Sequence, residues 1–168
     1  MIVVSRTRIV ALVSAIAISV TFANVAPVNA MGSGGSSGSS SDAAGSNSDA
    51  LAMIQSAKDD IELGWYADAI QTLQAVVKKD KQNADAFNLL GFASRKLGRT
   101  ENAAEFYAAA LKIEPDHLGA LEYQGELFLI LDQLENANAN LARLLELCGA
   151  NCGEYLDLKG DIASHQGS

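Results

Sequence analysis

Apolar residues recur along the second half of the chain at the three-to-four-residue spacing of amphipathic helices, with small residues where such helices would cross. Between Ala84 and His117, Phe87, Leu90, Gly91 and Leu97 form one stripe, and Ala103, Ala104, Tyr107, Ala110 and Leu111 form a second. The two stripes read as a pair of antiparallel helices. Gly91 and Ala103 carry almost no side chain, so the backbones are expected to approach closely, and Gly98 is expected to close the first helix in the left-handed conformation that glycine adopts cheaply. Pro115 ends the second helix and fixes the turn that follows. The pattern then repeats every 34 residues without an insertion: Gly64 is answered by Gly98 and Asp132, Ala69 by Ala103 and Ala137, Leu73 by Tyr107 and Leu141, Val77 by Leu111 and Leu145. Such a period marks a stack of helix pairs, each unable to bury its apolar face alone.

Three repeats follow, at 50–83, 84–117 and 118–151, with a further helix and tail at 152–168. From Glu154 to Ser164, Tyr155, Leu158 and Ile162 fall on one face and Glu154, Asp157 and Asp161 turn toward water. The middle repeat resembles the tetratricopeptide repeat (TPR), supplying Phe87, Leu90, Gly91, Gly98, Ala103, Tyr107, Ala110 and Pro115 at the positions that family favours and departing at Thr100. In the first repeat Tyr66 holds the family's aromatic position beside Trp65 in the turn. There Ser56 and Ala57 replace Leu-Gly and Lys81 replaces Pro, so its first helix is expected to pack loosely. The third keeps Gly125, with Asp132 and Gly149 in place of the usual Gly and Pro. The resemblance implies an all-α right-handed superhelical stack of antiparallel helix pairs, a TPR solenoid, with residues 152–168 as its C-terminal cap.

The first thirty residues read differently. Arg6 and Arg8 precede an apolar run from Ile9 to Ala23, and small residues end the segment at Val28-Asn29-Ala30, the layout of a secretory signal peptide. The run is about 15 residues, short of the roughly 20 that a membrane span needs. Export to a bacterial-type periplasm is expected, the alternative being a retained inner-membrane anchor facing the periplasm. Residues 31–49 are Gly/Ser-rich and are expected to form a disordered linker. Twenty acidic residues face twelve basic ones, for a net charge of −8, and loss of Arg6 and Arg8 with the leader would take this to −10. That balance argues against nucleic acid and against anionic lipid, both of which call for a basic face.

Catalytic signals are nearly absent. His117 and His165 have no companion at metal-ligand or triad spacing, and no Gly-rich loop follows a strand. No catalytic residue, cofactor or metal is expected, and the chain reads as a non-enzyme. Cys148 and Cys152 stand four residues apart around a turn, and in an exported chain they read first as a disulfide that pins the last helix. A thiol-redox role is the weaker alternative, since the spacing is not Cys-x-x-Cys.

The resemblance also implies a binding face. In TPR proteins the first helix of each repeat lines a concave groove that holds an extended peptide or a partner's helix. Carried onto this chain, the groove positions include Ile54, Lys58 and Ile61; Asn88, Phe92, Arg95 and Lys96; and Glu122, Glu126, Leu129 and Ile130. Phe92, Ile54, Ile61, Leu129 and Ile130 would be apolar anchors, Lys58, Arg95 and Lys96 a basic patch, and Glu122 with Glu126 an acidic end. The carboxylate clamp of the family's co-chaperones is missing, its places being held by Ile54, Lys58, Leu89, Gly119 and Tyr123. The expected function is a protein–protein interaction module, an adaptor or scaffold. The alternative is a self-associating assembly subunit.

Overall fold

Seven α-helices follow one another through residues 42–167, the part of the chain that this computed structural model describes: α1 (Asp42–Glu62), α2 (Tyr66–Lys79), α3 (Ala84–Lys96), α4 (Thr100–Ile113), α5 (Leu118–Ile130), α6 (Leu134–Cys148) and α7 (Gly153–Gln166). The leader assigned to residues 1–30, and the linker up to residue 41, lie outside the described residues. Helix α1 begins at Asp42, eight residues before the first repeat and inside the stretch that composition assigns to linker. Asp42 and two alanines suit a helical first turn, and the anchored part of the helix, from Ala50 onward, carries the register.

Each helix packs on the next, as α1 on α2, α3 on α4 and α5 on α6, and the pairs stack in order. The odd-numbered helices also touch one another, α1 with α3, α3 with α5 and α5 with α7. Among the described residues, α2 and α4 make no such contact, nor do α4 and α6. The stack therefore closes on its odd side, which becomes the inner face.

The turns explain the regularity. Gly64 and Gly98 take positive φ, 78° and 72°, and Asp132 takes the same conformation at 57° despite its side chain. Residues that precede the first helices cap them: Asn83 accepts from the Ala86 N–H at 2.9 Å, and His117 Nδ1 accepts from the Ala120 N–H at 3.1 Å. With Nδ1 as acceptor, Nε2 carries the proton and donates to Asp85 at 3.1 Å, so His117 ties the starts of α3 and α5 together.

Glycine is needed where elements meet most closely. A Cβ at Gly91 would overlap the buried Tyr107 ring, as the close approach of α3 and α4 requires. Three apolar clusters follow the stack. Ile54, Ala57, Ile70, Leu73 and Leu90 centre the first, Ala103, Tyr107 and Leu127 the middle, and Leu121, Leu144, Leu158 and Ile162 the last. The first helix does not pack loosely: Ala57, at the position where glycine is usual, is fully buried, so an Ala suffices for this contact. Leu158 and Ile162 place α7 in the last cluster, the capping position that the sequence assigns to it.

Candidate functional site

The inner face is built from α3 outward. Asn88, Phe92, Arg95 and Lys96 recur along α3 at i, i+4, i+7 and i+8, on one side of the helix. Asn88 is 6% exposed, and its side-chain carbonyl has no hydrogen-bond partner. Phe92 sits between Tyr66 of α2 and Tyr123 of α5, with ring centroids 6.4 Å and 4.9 Å away. Tyr123 continues the row to Tyr107 of α4 at 6.5 Å. Lys96 Nζ lies 5.1 Å from the centre of the Phe92 ring, a cation–π contact.

Arg95 is the most heavily used side chain of the face. Its Nη1 bonds Glu126 Oε2 at 2.6 Å, its Nε donates to the Tyr107 hydroxyl at 3.4 Å, and its guanidinium lies over the Phe92 and Tyr123 rings. Burial opposes its charge, but Tyr107 and Glu126 outweigh that and hold its pKa above the ordinary arginine value. The Arg95 side chain is 7% exposed, and Nη2 has no partner. The basic patch expected at Lys58, Arg95 and Lys96 is therefore corrected: Arg95 is neutralised by Glu126, thirty-one residues on, and only Lys58 and Lys96 are exposed.

Two of the expected apolar anchors are corrected as well. Ile54 is 5% exposed and belongs to the first core cluster, because α2 and α3 cover that side of α1. Leu129 is 9% exposed, covered within the cluster that α7 completes. Ile61 is half-buried against the first cluster, whereas Ile130 is exposed. A cleft of about 300 Å³ opens between α3, α5 and α7, lined by Arg95, Glu126, Leu129, Ile130, Asp161 and His165.

The acidic end is larger than the sequence reading has it. Glu122 is 9% exposed and makes no hydrogen bond or ion pair among the described residues. Burial pushes its carboxyl up to about 8, and Glu126, Asp157 and Glu154 push the same way against Arg95. Burial raises Glu126 too, with Arg95 opposing. Glu154, Asp157, Asp161 and His165 come from α7. Their common face is legible as a helical stripe, but its apposition to α5 depends on how the cap docks.

The sulfur atoms of Cys148 and Cys152 lie at bonding distance across the α6–α7 turn, with Cα atoms 5.8 Å apart. Glu154 brings a carboxylate to the same place, all three ligand atoms lying within 4.8 Å. Paired as a disulfide, the two sulfurs would not offer the thiolates a metal needs.

The family profile of the tetratricopeptide repeat matches residues 84–117, the repeat on which Asn88, Phe92, Arg95 and Lys96 stand. Residues 84–117 are a tetratricopeptide repeat, set in a stack of helix pairs of that fold. The chain's similarity to tetratricopeptide repeat protein 37 of Xenopus laevis is 32% identity over 88 residues, 52% of this chain and 6% of that protein. The chain thus spans a small fraction of the curated relatives it matches. Among solved structures, it is similar to the first TPR of Spaghetti (RPAP3) bound to the HSP90 peptide SRMEEVD, with a TM-score of 0.62, 22% identity, and 71% of this chain and 94% of that one covered. It is also similar to the Yersinia enterocolitica type III secretion chaperone SycD in complex with a peptide of the translocator YopD, with a TM-score of 0.59, 23% identity, and 68% and 87% covered. Those likenesses establish the TPR solenoid. Among the described residues, no helix is long and apolar enough to cross a membrane.

Proposed function

We propose that this protein binds an extended segment of a partner protein along its inner face, as a non-catalytic adaptor. One observation carries the reading. Asn88 and Arg95 stand seven residues apart on α3, one offering a buried acceptor and the other a buried donor, and neither atom is satisfied within the chain. An unsatisfied buried polar atom costs about 1–3 kcal/mol, so two on one side of α3 favour a bound chain that reaches them when the side chains over them shift. Seven residues span about 10 Å of helix, close to three residues of an extended peptide, whose N–H and C=O groups match an acceptor and a donor at that separation. Phe92 lies between them as an apolar contact. Peptide complexes of the two structural neighbours are consistent with this use of the fold.

The compartment belongs to the same proposal: the leader pattern at residues 1–30 supports an exported, periplasmic protein, in which Cys148 and Cys152 are oxidised and hold the start of α7. The test is affinity capture from a periplasmic extract by the parent and by a Phe92→Ala, Lys96→Glu variant of matched circular dichroism. A defined protein held by the parent and lost by the variant supports the groove; equal capture by both sinks it.

Self-association is the second reading, favoured by one observation. Leu63, Leu97 and Leu131 occupy the same position in three successive repeats, at the turns, and all are exposed, as is Trp65 beside them. Light scattering over a hundredfold concentration range decides it: a constant monomer mass rejects self-association.

A further inference from the structure

The inner face has a charge pattern that says what kind of segment it accepts. Toward α5 its cations are already engaged, Arg95 by Glu126, Tyr107 and two aromatic rings and Lys96 by Phe92, which leaves Lys58 exposed on α1. Lys159 of α7 lies over Tyr155. Its anions are not balanced. Glu122 of α5 and Glu154, Asp157 and Asp161 of α7 form no ion pair among the described residues, and His165 pairs with Asp132 at 3.4 Å. Of these, Glu122 is nine-tenths buried without a partner. Burial disfavours the charged form of a carboxylate so placed, and a cation brought against it offsets that cost.

Resting on the groove reading above, we propose that the bound segment carries a Lys or Arg side chain that seats between α5 and α7, against Glu122 and Asp157. The unsatisfied Asn88 carbonyl and Arg95 Nη2 are observations independent of the acidic cluster, and they ask for a main chain. The carboxylates ask for a long cationic side chain leaving that main chain. A divalent metal fits less well. Among the described residues, the one group whose ligand atoms converge within 4.8 Å is Cys148, Cys152 and Glu154, so the other carboxylates do not gather around a single ion. The sense is opposite to that of the first structural neighbour above, whose peptide, SRMEEVD, is rich in acidic residues. The desolvated Glu122 fits this account, since its raised pKa falls back when a fixed cation arrives.

The test uses the immobilised full chain and a randomised nonapeptide library in which each position is fixed in turn as Lys, Arg, Asp, Glu or Ala. Retained peptides are expected to favour Lys or Arg at one position by about tenfold over Asp or Glu, the size of one charge pair in a partly desolvated site. That preference is expected to fall to parity in Glu122→Gln, and also in Asp157→Asn, an exposed position whose change leaves the core intact. Peptides retained without a cationic preference, and lost from Asn88→Ala, would overturn the cation site and leave the groove standing. Retention of no peptide at all would overturn both.

Discussion

Leu158 of α7 fills the space that Gly125 of α5 leaves open: a Cβ added at Gly125 would stand 2.5 Å from Leu158 Cδ2. In the middle repeat the glycine at the same position, Gly91, faces Tyr107 of its own repeat. The last repeat thus turns its small residue toward the cap, and α7 depends on it. Gly125→Ala is expected to destabilise the protein by about 1–3 kcal/mol through overpacking, and Leu158→Asp by about 2–4 kcal/mol through a buried charge. Urea unfolding checks both. An unchanged midpoint for Leu158→Asp would mean that α7 is not part of the cooperative fold.

Asp132 repeats the positive φ of Gly64 and Gly98 with a side chain that does not favour it. Asp132→Gly should therefore stabilise the protein by about 1 kcal/mol, since the ion pair it gives up with His165 is mostly exposed and worth little. Thermal unfolding of Asp132→Gly and Asp132→Ala separates backbone from side chain: only the glycine variant should melt higher.

Stability should depend on the protonation of Glu122. Its pKa is raised in the fold from 4.5 to about 8, so its contribution is complete below pH 4.5 and is lost as pH rises through about 8. The melting temperature is expected to fall across that window, with Glu126, Glu154 and Asp157 adding repulsion and Arg95 relieving it. Glu122→Gln should flatten the slope. A slope unchanged in that variant would place the titration elsewhere.

The cysteine pair closes a very short loop, and opening it should cost about 2 kcal/mol on the chain-entropy account. Calorimetry with and without reductant measures this, with Cys148→Ser, Cys152→Ser as the control that reductant should not affect. Equal melting temperatures for the parent in both conditions would remove any role for the pair in holding α7.

The stack was legible because one physical requirement, small residues at each crossing, is written into every period: Gly91, Ala103, Gly125 and Ala137 announce where backbones meet. The cap was legible from the spacing of Leu158 and Ile162. The groove was only partly so. A position rule marks which helix side faces inward, but not which neighbour covers it, so Ile54 and Leu129 disappear into the core. The Arg95–Glu126 pair joins residues of successive repeats, and its neutralisation of the basic patch depends on how α3 and α5 stack. The row from Tyr66 through Phe92 and Tyr123 to Tyr107 is likewise assembled from three repeats.

The most direct test of the groove is a nuclear magnetic resonance titration of the full chain with the library's best-retained nonapeptide. Shift changes are expected at the Asn88 side-chain amide, the Arg95 Nε–H and the Phe92 ring. Changes confined to the turn edge around Leu63, Leu97 and Leu131, or to the pocket of Lys81, Phe87 and Lys112, would contradict binding along the inner face.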